Sequence, residues 1–253
     1  MLSKSKISLI NSLNIKKYRD KHKLFFAEGE KIINEIIASG QKIKWLFTSE
    51  TGDSYNTDKK NIEEVFEISE REMKKISQLK TPSKHLAVLE INENRQNIEN
   101  LKNELIFAFE DLQNPGNLGS IIRICDWFGI NNIILSKHSA DIYSPKVIQA
   151  TAGAFLRVNI LYEDLQDFIV KYKETSRNIC YGTFLKGENI YNSELTPEGL
   201  VVFGNEGQGI SDTITKHIDK KLFIPSFSKS DTYSESLNIA SATSIICSEF
   251  KRR

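Results

Sequence analysis

Three short clusters hold the side chains of this sequence best suited to chemistry. The first runs from Glu110 and Asp111 through Asn114, Pro115, Gly116 and Asn117 to Arg123. A guanidinium stays protonated and offers five donors in a fixed fork, so it suits an anion or a developing negative charge. Arg123 sits among Ile121, Ile122, Ile124 and Cys125. Burying it there would need an anionic partner, unless its stem carries the charge out to water. Asn117 has the residue type of a helix N-cap. The second cluster, Phe203-Gly204-Asn205-Glu206-Gly207-Gln208-Gly209, spaces its glycines G-x-x-G-x-G directly after an apolar run. Glycine lets backbone approach a ligand closely, yet this spacing is neither the dinucleotide fingerprint nor the phosphate-binding loop. Without a ligand the segment is a strand-to-helix turn, and Glu206 is a polar loop residue. The third cluster is Ile224-Pro225-Ser226, a polar stretch to Glu235, then Ser236-Leu237-Asn238 before a helix rich in small residues. Either Ser236 or Asn238 can cap that helix.

Such clusters need a scaffold that brings loop ends together. The spacing predicts strands at 105–109, 132–135, 158–161, 179–184, 200–203 and 221–224, alternating with helices at 118–128, 145–155, 165–173, 211–217 and 237–250. Several strands are continuous apolar runs, as a mainly parallel sheet covered on both faces requires. In such sheets ligands bind beyond the carboxyl ends of the strands, which is where the three clusters fall. Upstream, Leu9, Ile10 and Leu13 form an apolar stripe, and a helix is predicted over 28–39 with Ile32, Ile33, Ile36 and Ile37 on one face, ending at Gly40. Strands at 44–49, 64–68 and 85–91 and a helix at 70–76 complete a small α/β domain over 1–91. The Asn-, Glu- and Lys-rich stretch 92–103 reads as a linker, and 104–253 as a second α/β domain.

With 34 Lys and Arg against 33 Asp and Glu, the chain is no polycation. Its bases crowd at one end, however: Lys4, Lys6, Lys16, Lys17, Arg19, Lys21 and Lys23 precede residue 24 with one acid, Asp20. That is either a solvated helical face or a patch whose cations replace counterions on nucleic-acid phosphates. No stretch approaches the roughly 20 apolar residues of a membrane span, and no secretory signal is expected at the N-terminus. Cys125, Cys180 and Cys247 are far apart and read as buried, reduced thiols of a cytoplasmic protein. The four histidines are scattered, and no metal site is expected.

Taken in order, the run from Asn114 to Arg123, the run from Phe203 to Ile210, and Ile224-Pro225-Ser226 with Ser236-Leu237-Asn238-Ile239-Ala240 resemble the three signature segments of the SpoU (TrmH-like) branch of the SPOUT RNA methyltransferases. The resemblance covers 104–250. The segment 7–40, with Phe26-Ala27-Glu28-Gly29, is similar to that family's L30e-like substrate-binding domain. What this implies is a catalytic domain with a mainly parallel sheet and a deep trefoil knot, joined to a small N-terminal α/β domain. It further implies a homodimer whose paired catalytic domains complete the active site. S-adenosyl-L-methionine is the implied cofactor. The implied target is a ribose 2′-hydroxyl of structured RNA, ribosomal first and transfer RNA second.

By position, the resemblance makes Asn117, Arg123, Glu206, Ser236 and Asn238 the catalytic set. Phe203, Gly204, Ile224, Pro225 and Leu237 would hold the cofactor, with Thr183 as a further contact. Lys16, Lys17, Arg19, Lys21 and Lys23 are the candidate RNA contacts. The stretch 225–235 is long for the family, and Gln149 and Thr151 stand where many relatives carry Arg and Ser. A ribose hydroxyl is a weak acid, so the developing alkoxide needs stabilising. Arg123 suits that electrostatic role, and acts as a base only if a phosphate relays the proton. Two rivals are an RNA-binding protein that keeps the fold without the reaction, and a nucleotide-dependent oxidoreductase, which the missing fingerprint disfavours.

Overall fold

In a computed structural model, residues 2–50, 59–91, 101–228 and 236–252 are described. They form two units, one of residues 1–93 with 141–156, the other of 94–140 with 157–253.

The first unit contains α1 (Lys4–Ser12), α2 (Lys16–His22), β1 (Leu24–Glu28), α3 (Glu30–Ala38), β2 (Ile43–Thr48), β3 (Ile62–Glu67), α4 (Glu70–Ile76), β4 (His85–Glu90) and, from later in the chain, α6 (Pro145–Thr151). Its sheet runs β1-β4-β2-β3, parallel only between β2 and β3. Alternate residues of β1 and β4 serve opposite faces, as the pleat requires. Leu24, Phe26, Leu86 and Val88 meet Ile10, Leu13, Met73 and Ile76 on one side. Phe25, Ala27, Ala87 and Leu89 meet Ile33, Ile36 and Ile148 on the other. Burying each large apolar side chain contributes about 1.5–3 kcal/mol.

Two expectations need correction here. The predicted helix over 28–39 begins at Glu30, because Gly29 turns the chain at φ 106° and Glu28 is the last residue of β1. Leu24–Glu28 is buried throughout, so it carries no alternation by which to recognise a strand. The helix predicted over 145–155 stops at Thr151, where Ala152 and Gly153 take φ of 49° and 97°. A Cβ at Gly153 would collide with the Glu35 carboxylate. Around this helix Phe25 packs on Tyr143 and Phe155, at ring separations of 4.8 and 6.0 Å. Most of the expected linker, 92–100, lies outside the described residues.

The N-terminal bases do not all face water. Lys16, Lys17, Lys21 and Lys23 are exposed. Arg19 is 3% exposed. Its Nε and Nη2 donate to Asp141 Oδ2 at 3.1 and 2.7 Å, and its Nη1 to the Leu13 carbonyl at 2.6 Å. The expectation that Arg19 contacts RNA phosphate is therefore overturned: a buried charge needs a partner, and Asp141 supplies it.

Glu72 closes a capping box with Ser69 on α4 and accepts Leu2 N–H at 2.8 Å. The backbone of Leu2, then the backbone and hydroxyl of Ser69, hold its carboxyl at about 2, below the ordinary 4.5. A carboxylate depressed on folding stabilises above its unfolded pKa, and that contribution fades as pH falls through the folded value. Stability should thus decline from pH 4.5 towards 2. Glu72→Gln should flatten that acid limb in a circular-dichroism titration, and an unaltered limb would assign it to other groups.

The second unit holds β5 (Leu105–Phe109), α5 (Pro115–Phe128), β6 (Asn132–Ser136), β7 (Asn159–Glu163), α7 (Leu165–Thr175), β8 (Cys180–Asn189), β9 (Gly199–Phe203), α8 (Asp212–Thr215), β10 (Lys220–Phe223) and α9 (Ile239–Lys251). All six strands are parallel, in the order β10-β8-β9-β5-β6-β7. Phe168, Ile169 and Tyr172 of α7 and Ile214 of α8 pack against Ile106, Ala108, Leu200 and Val202. Phe107 and Phe109 meet Phe203 at ring separations of 5.2 and 4.6 Å, and Phe250 of α9 meets Tyr181 at 5.1 Å.

Candidate active site

Asn114 caps α5, its Oδ1 accepting Gly116 N–H at 2.8 Å and Asn117 N–H at 3.2 Å. Asn117, expected as the cap, instead lies in the first turn and is free to act through its side chain. Its Nδ2 donates to Glu206 Oε1, and its Oδ1 accepts from Asn238 Nδ2 at 3.1 Å. Asn238 in turn caps α9, accepting Ala240 N–H at 2.9 Å and Ser241 N–H at 3.4 Å. The polarity of this chain follows from its ends. A carboxylate only accepts, so Asn117 must present its amide nitrogen to Glu206 and its oxygen to Asn238. Residues 117, 206 and 238, one from each cluster, thus meet where α5 and α9 begin. The positive ends of both helix dipoles lie beside the Glu206 carboxylate.

The two helices pack against each other, and Cys125 of α5 and Cys247 of α9 are both fully buried. Burial, and then the side-chain hydrogen bond with Cys247, push the Cys125 thiol well above its ordinary range. Burial, then the charge of Asp219, pushes Cys180 up to about 12. Buried thiols held protonated are poor nucleophiles, so Cys125 and Cys180 belong to the scaffold.

Most of the residues expected to hold a cofactor lie on or just after adjacent strands. Gly182 of β8 lies opposite Val202 of β9 on one side and Lys221 of β10 on the other. Phe203-Gly204 and Ile224-Pro225 therefore sit at the ends of β9 and β10, whereas Thr183, expected at the end of a strand over 179–184, lies inside β8, which runs on to Asn189. Phe203 is buried, Thr183, Gly204, Ile224 and Pro225 are half-buried, and Leu237 is 52% exposed. Arg123 is exposed and has no hydrogen bond or ion pair among the described residues, and it does not join Glu206 or Asn238. Ser236 is exposed and likewise stands apart from the Asn117–Glu206–Asn238 chain. The polar stretch 229–235 lies outside the described residues. No metal-binding group of His, Cys, Asp and Glu occurs among the described residues.

Sequence reasoning missed Asn114 as the cap and gave no role to Glu110, Asp111 or Asn205. The available signal was their place: two carboxylates directly after β5, and an asparagine directly after the glycine that follows β9.

Comparison with known proteins agrees with this arrangement. Residues 104–248 match the model of the SpoU rRNA Methylase family, and residues 4–87 that of the MRM3-like substrate binding domain. The chain is 25% identical over 235 residues to the 23S rRNA (guanosine(2553)-2′-O)-methyltransferase RlmP of Bacillus subtilis, spanning 92% of this chain and 91% of that one. A TrmH-family structure from Porphyromonas gingivalis superposes with a TM-score of 0.89 at 33% identity, covering 100% of this chain and 99% of the other. An AdoMet-bound rRNA methyltransferase from Sinorhizobium meliloti gives 0.83 at 25% identity, covering 100% and 96%.

Proposed function

The chain belongs to the SpoU rRNA methylase family, and we propose that it methylates a ribose 2′-hydroxyl of ribosomal RNA with S-adenosyl-L-methionine as donor. The observation that carries the proposal is the joining of Asn117, Glu206 and Asn238 from three distant stretches of sequence. The donor fits the chemistry at the strand ends. Ile224 and Leu237 offer apolar surface for adenine, Gly204 and Pro225 offer half-buried backbone, and Glu206 offers an anion to a cationic ligand. When bound, the donor supplies an activated methyl on a sulfonium. Thr183, Phe203, Gly204, Ile224, Pro225 and Leu237 would hold it. Asn117 and Asn238 keep Glu206 in one orientation, and Ser236 would offer a hydroxyl two residues before the Asn238 cap.

Arg123 is the group suited to stabilise the alkoxide as the ribose proton leaves. Six residues beyond Asn117, it lies about 9 Å along the axis and is turned by roughly 120° from it. It therefore points away from its own chain's Glu206. Trp127, one turn further on the same face, is 85% exposed, as suits a residue buried by association. These two positions support a homodimer in which each subunit's Arg123 serves the other's cluster. The all-parallel order and the return of α9 onto α5 support a trefoil knot at the ends of β9 and β10. We take 104–253 as the catalytic domain and 1–91 as the RNA-binding domain, with α6 packed into the latter. We place the enzyme in the cytoplasm, where its three free cysteines stay reduced.

RNA would be gripped by Lys16, Lys17, Lys21 and Lys23. Replacing Lys16, Lys17 and Lys21 with Ala should lower the slope of log affinity against log salt by roughly 2, measured by filter binding. An unchanged slope returns these residues to the solvated-face reading. The target is tested by mapping 2′-O-methylation across ribosomal and transfer RNA in cells with and without the protein. Loss of a single ribosomal site is expected. Loss confined to transfer RNA would overturn the ribosomal assignment.

A further inference from the structure

The loop that carries Glu206 is anchored at both shoulders to the end of β5. At the near shoulder Asn205 Nδ2 donates to the Asp111 carbonyl at 3.0 Å, while Asn205 Oδ1 accepts from Gly207 N at 2.9 Å and Gln208 N at 3.1 Å. Asn205 and Gly209 exchange backbone hydrogen bonds, both of 2.9 Å, which closes the loop. At the far shoulder Ser211 N donates to Glu110 Oε2 at 2.9 Å, and Glu110 N donates to the Phe203 carbonyl at 2.9 Å. The loop folds back so tightly that a Cβ at Gly204 would collide with the backbone of Gly209 and Ile210.

The anchor is itself held. Asp111 lies in the left-handed region at φ 48°, which few residues besides glycine, Asn and Asp adopt. The Ser136 hydroxyl donates to Asp111 Oδ1 at 2.6 Å and accepts Asp111 N–H at 2.9 Å, and Ser139 Oγ accepts Leu112 N–H at 3.2 Å. The end of β6 thus fixes the turn after β5, and that turn fixes the loop after β9.

We infer that Glu110, Asp111 and Asn205 are positioning residues for methyl transfer, holding Glu206 where Asn117 meets it. The inference rests on Glu206 belonging to the catalytic set. A loop with Gly204, Gly207 and Gly209 has wide conformational freedom, so its one reactive side chain needs external brackets. Misplacing a reacting or orienting group by about 1 Å can cost roughly a hundredfold in rate.

The test compares Asn205→Asp, Glu110→Ala and Glu110→Gln with Glu206→Gln, measuring kcat at saturating RNA and donor, KM for RNA, and melting temperature. Asn205→Asp keeps the acceptor for the two loop amides but faces the Asp111 carbonyl with an anion instead of a donor. Glu110→Gln keeps an acceptor for Ser211 N–H. Asn205→Asp and Glu110→Ala should lower kcat by ~10–100-fold with KM for RNA unchanged, and Glu110→Gln should restore kcat to within about threefold of the parent. A purely structural role would lower the melting temperature and the folded fraction but leave kcat per folded site intact. If Glu110→Ala does not fold, Asn205→Asp against Glu110→Gln decides. Parental kcat in Asn205→Asp alongside an impaired Glu206→Gln overturns the bracket alone. Parental kcat in Glu206→Gln overturns the catalytic assignment beneath it as well.

Discussion

Arg123→Ala is expected to lower kcat by roughly a hundred- to a thousandfold, the loss typical of removing one preorganised donor from a developing oxyanion. The side chain is exposed and makes no hydrogen bond or ion pair among the described residues. Truncating it strands no buried partner, so stability should stay within about 0.5 kcal/mol of the parent. Donor binding, read by calorimetry, should persist, because the strand-end residues are untouched. The composite-site arrangement makes a sharper forecast. Arg123→Ala and Glu206→Ala are each expected to be nearly inactive alone. In a symmetric dimer whose subunits exchange arginines, randomly mixed subunits place one intact site in every heterodimer, and activity should recover to about a quarter of the parent level. A mixture as inactive as its components would show that both groups act within one subunit or that the subunits do not pair. Unimpaired turnover of Arg123→Ala by itself would remove the arginine from the mechanism.

Asp141→Ala should destabilise the first unit by about 3 kcal/mol or more, since breaking a buried ion pair leaves the other charge uncompensated. Arg19 is 3% exposed and Asp141 14%. After truncation the guanidinium would keep only the Leu13 carbonyl, and the Tyr143 N–H that donates to Asp141 Oδ1 at 2.9 Å would lose its acceptor. Urea denaturation is the measurement. Replacing both partners together, Arg19→Met with Asp141→Leu, should recover most of the loss, because a well-packed apolar pair avoids desolvating two charges. Parental stability in Asp141→Ala would mean that water reaches the guanidinium, and Arg19 would rejoin the lysines as a phosphate contact. The same helix thus gives opposite readouts. Lys16, Lys17 and Lys21 should move the salt slope and leave stability alone, whereas Arg19 should move stability.

Much of the second unit was readable from the chain alone. The apolar runs 105–109, 132–135 and 200–203 correspond to β5, β6 and β9 because strands covered on both faces must be apolar throughout. The three clusters fall where the rule of carboxyl strand ends puts a site. Family likeness identified Asn117, Glu206 and Asn238 through residue type and order. Leu24–Glu28 escaped because that same continuous burial does not distinguish strand from helix in so short a run. Asn114 and Asn117 were confused as caps because both precede the apolar helix, and only hydrogen-bond geometry tells which side chain turns inward.

Residue type and order were enough to establish the α/β class, the parallel sheet, the chemistry of the clusters and the excess of base near the N-terminus, since each reflects local composition or periodicity. Partnership was decided by folding in three dimensions. The chain turned Arg19 onto an aspartate 122 residues away, left Arg123 facing solvent, and bracketed Glu206 with Glu110 and Asp111. The reason is that the free energy of a charge depends on what surrounds it after folding, and those neighbours come from parts of the chain that no local pattern connects.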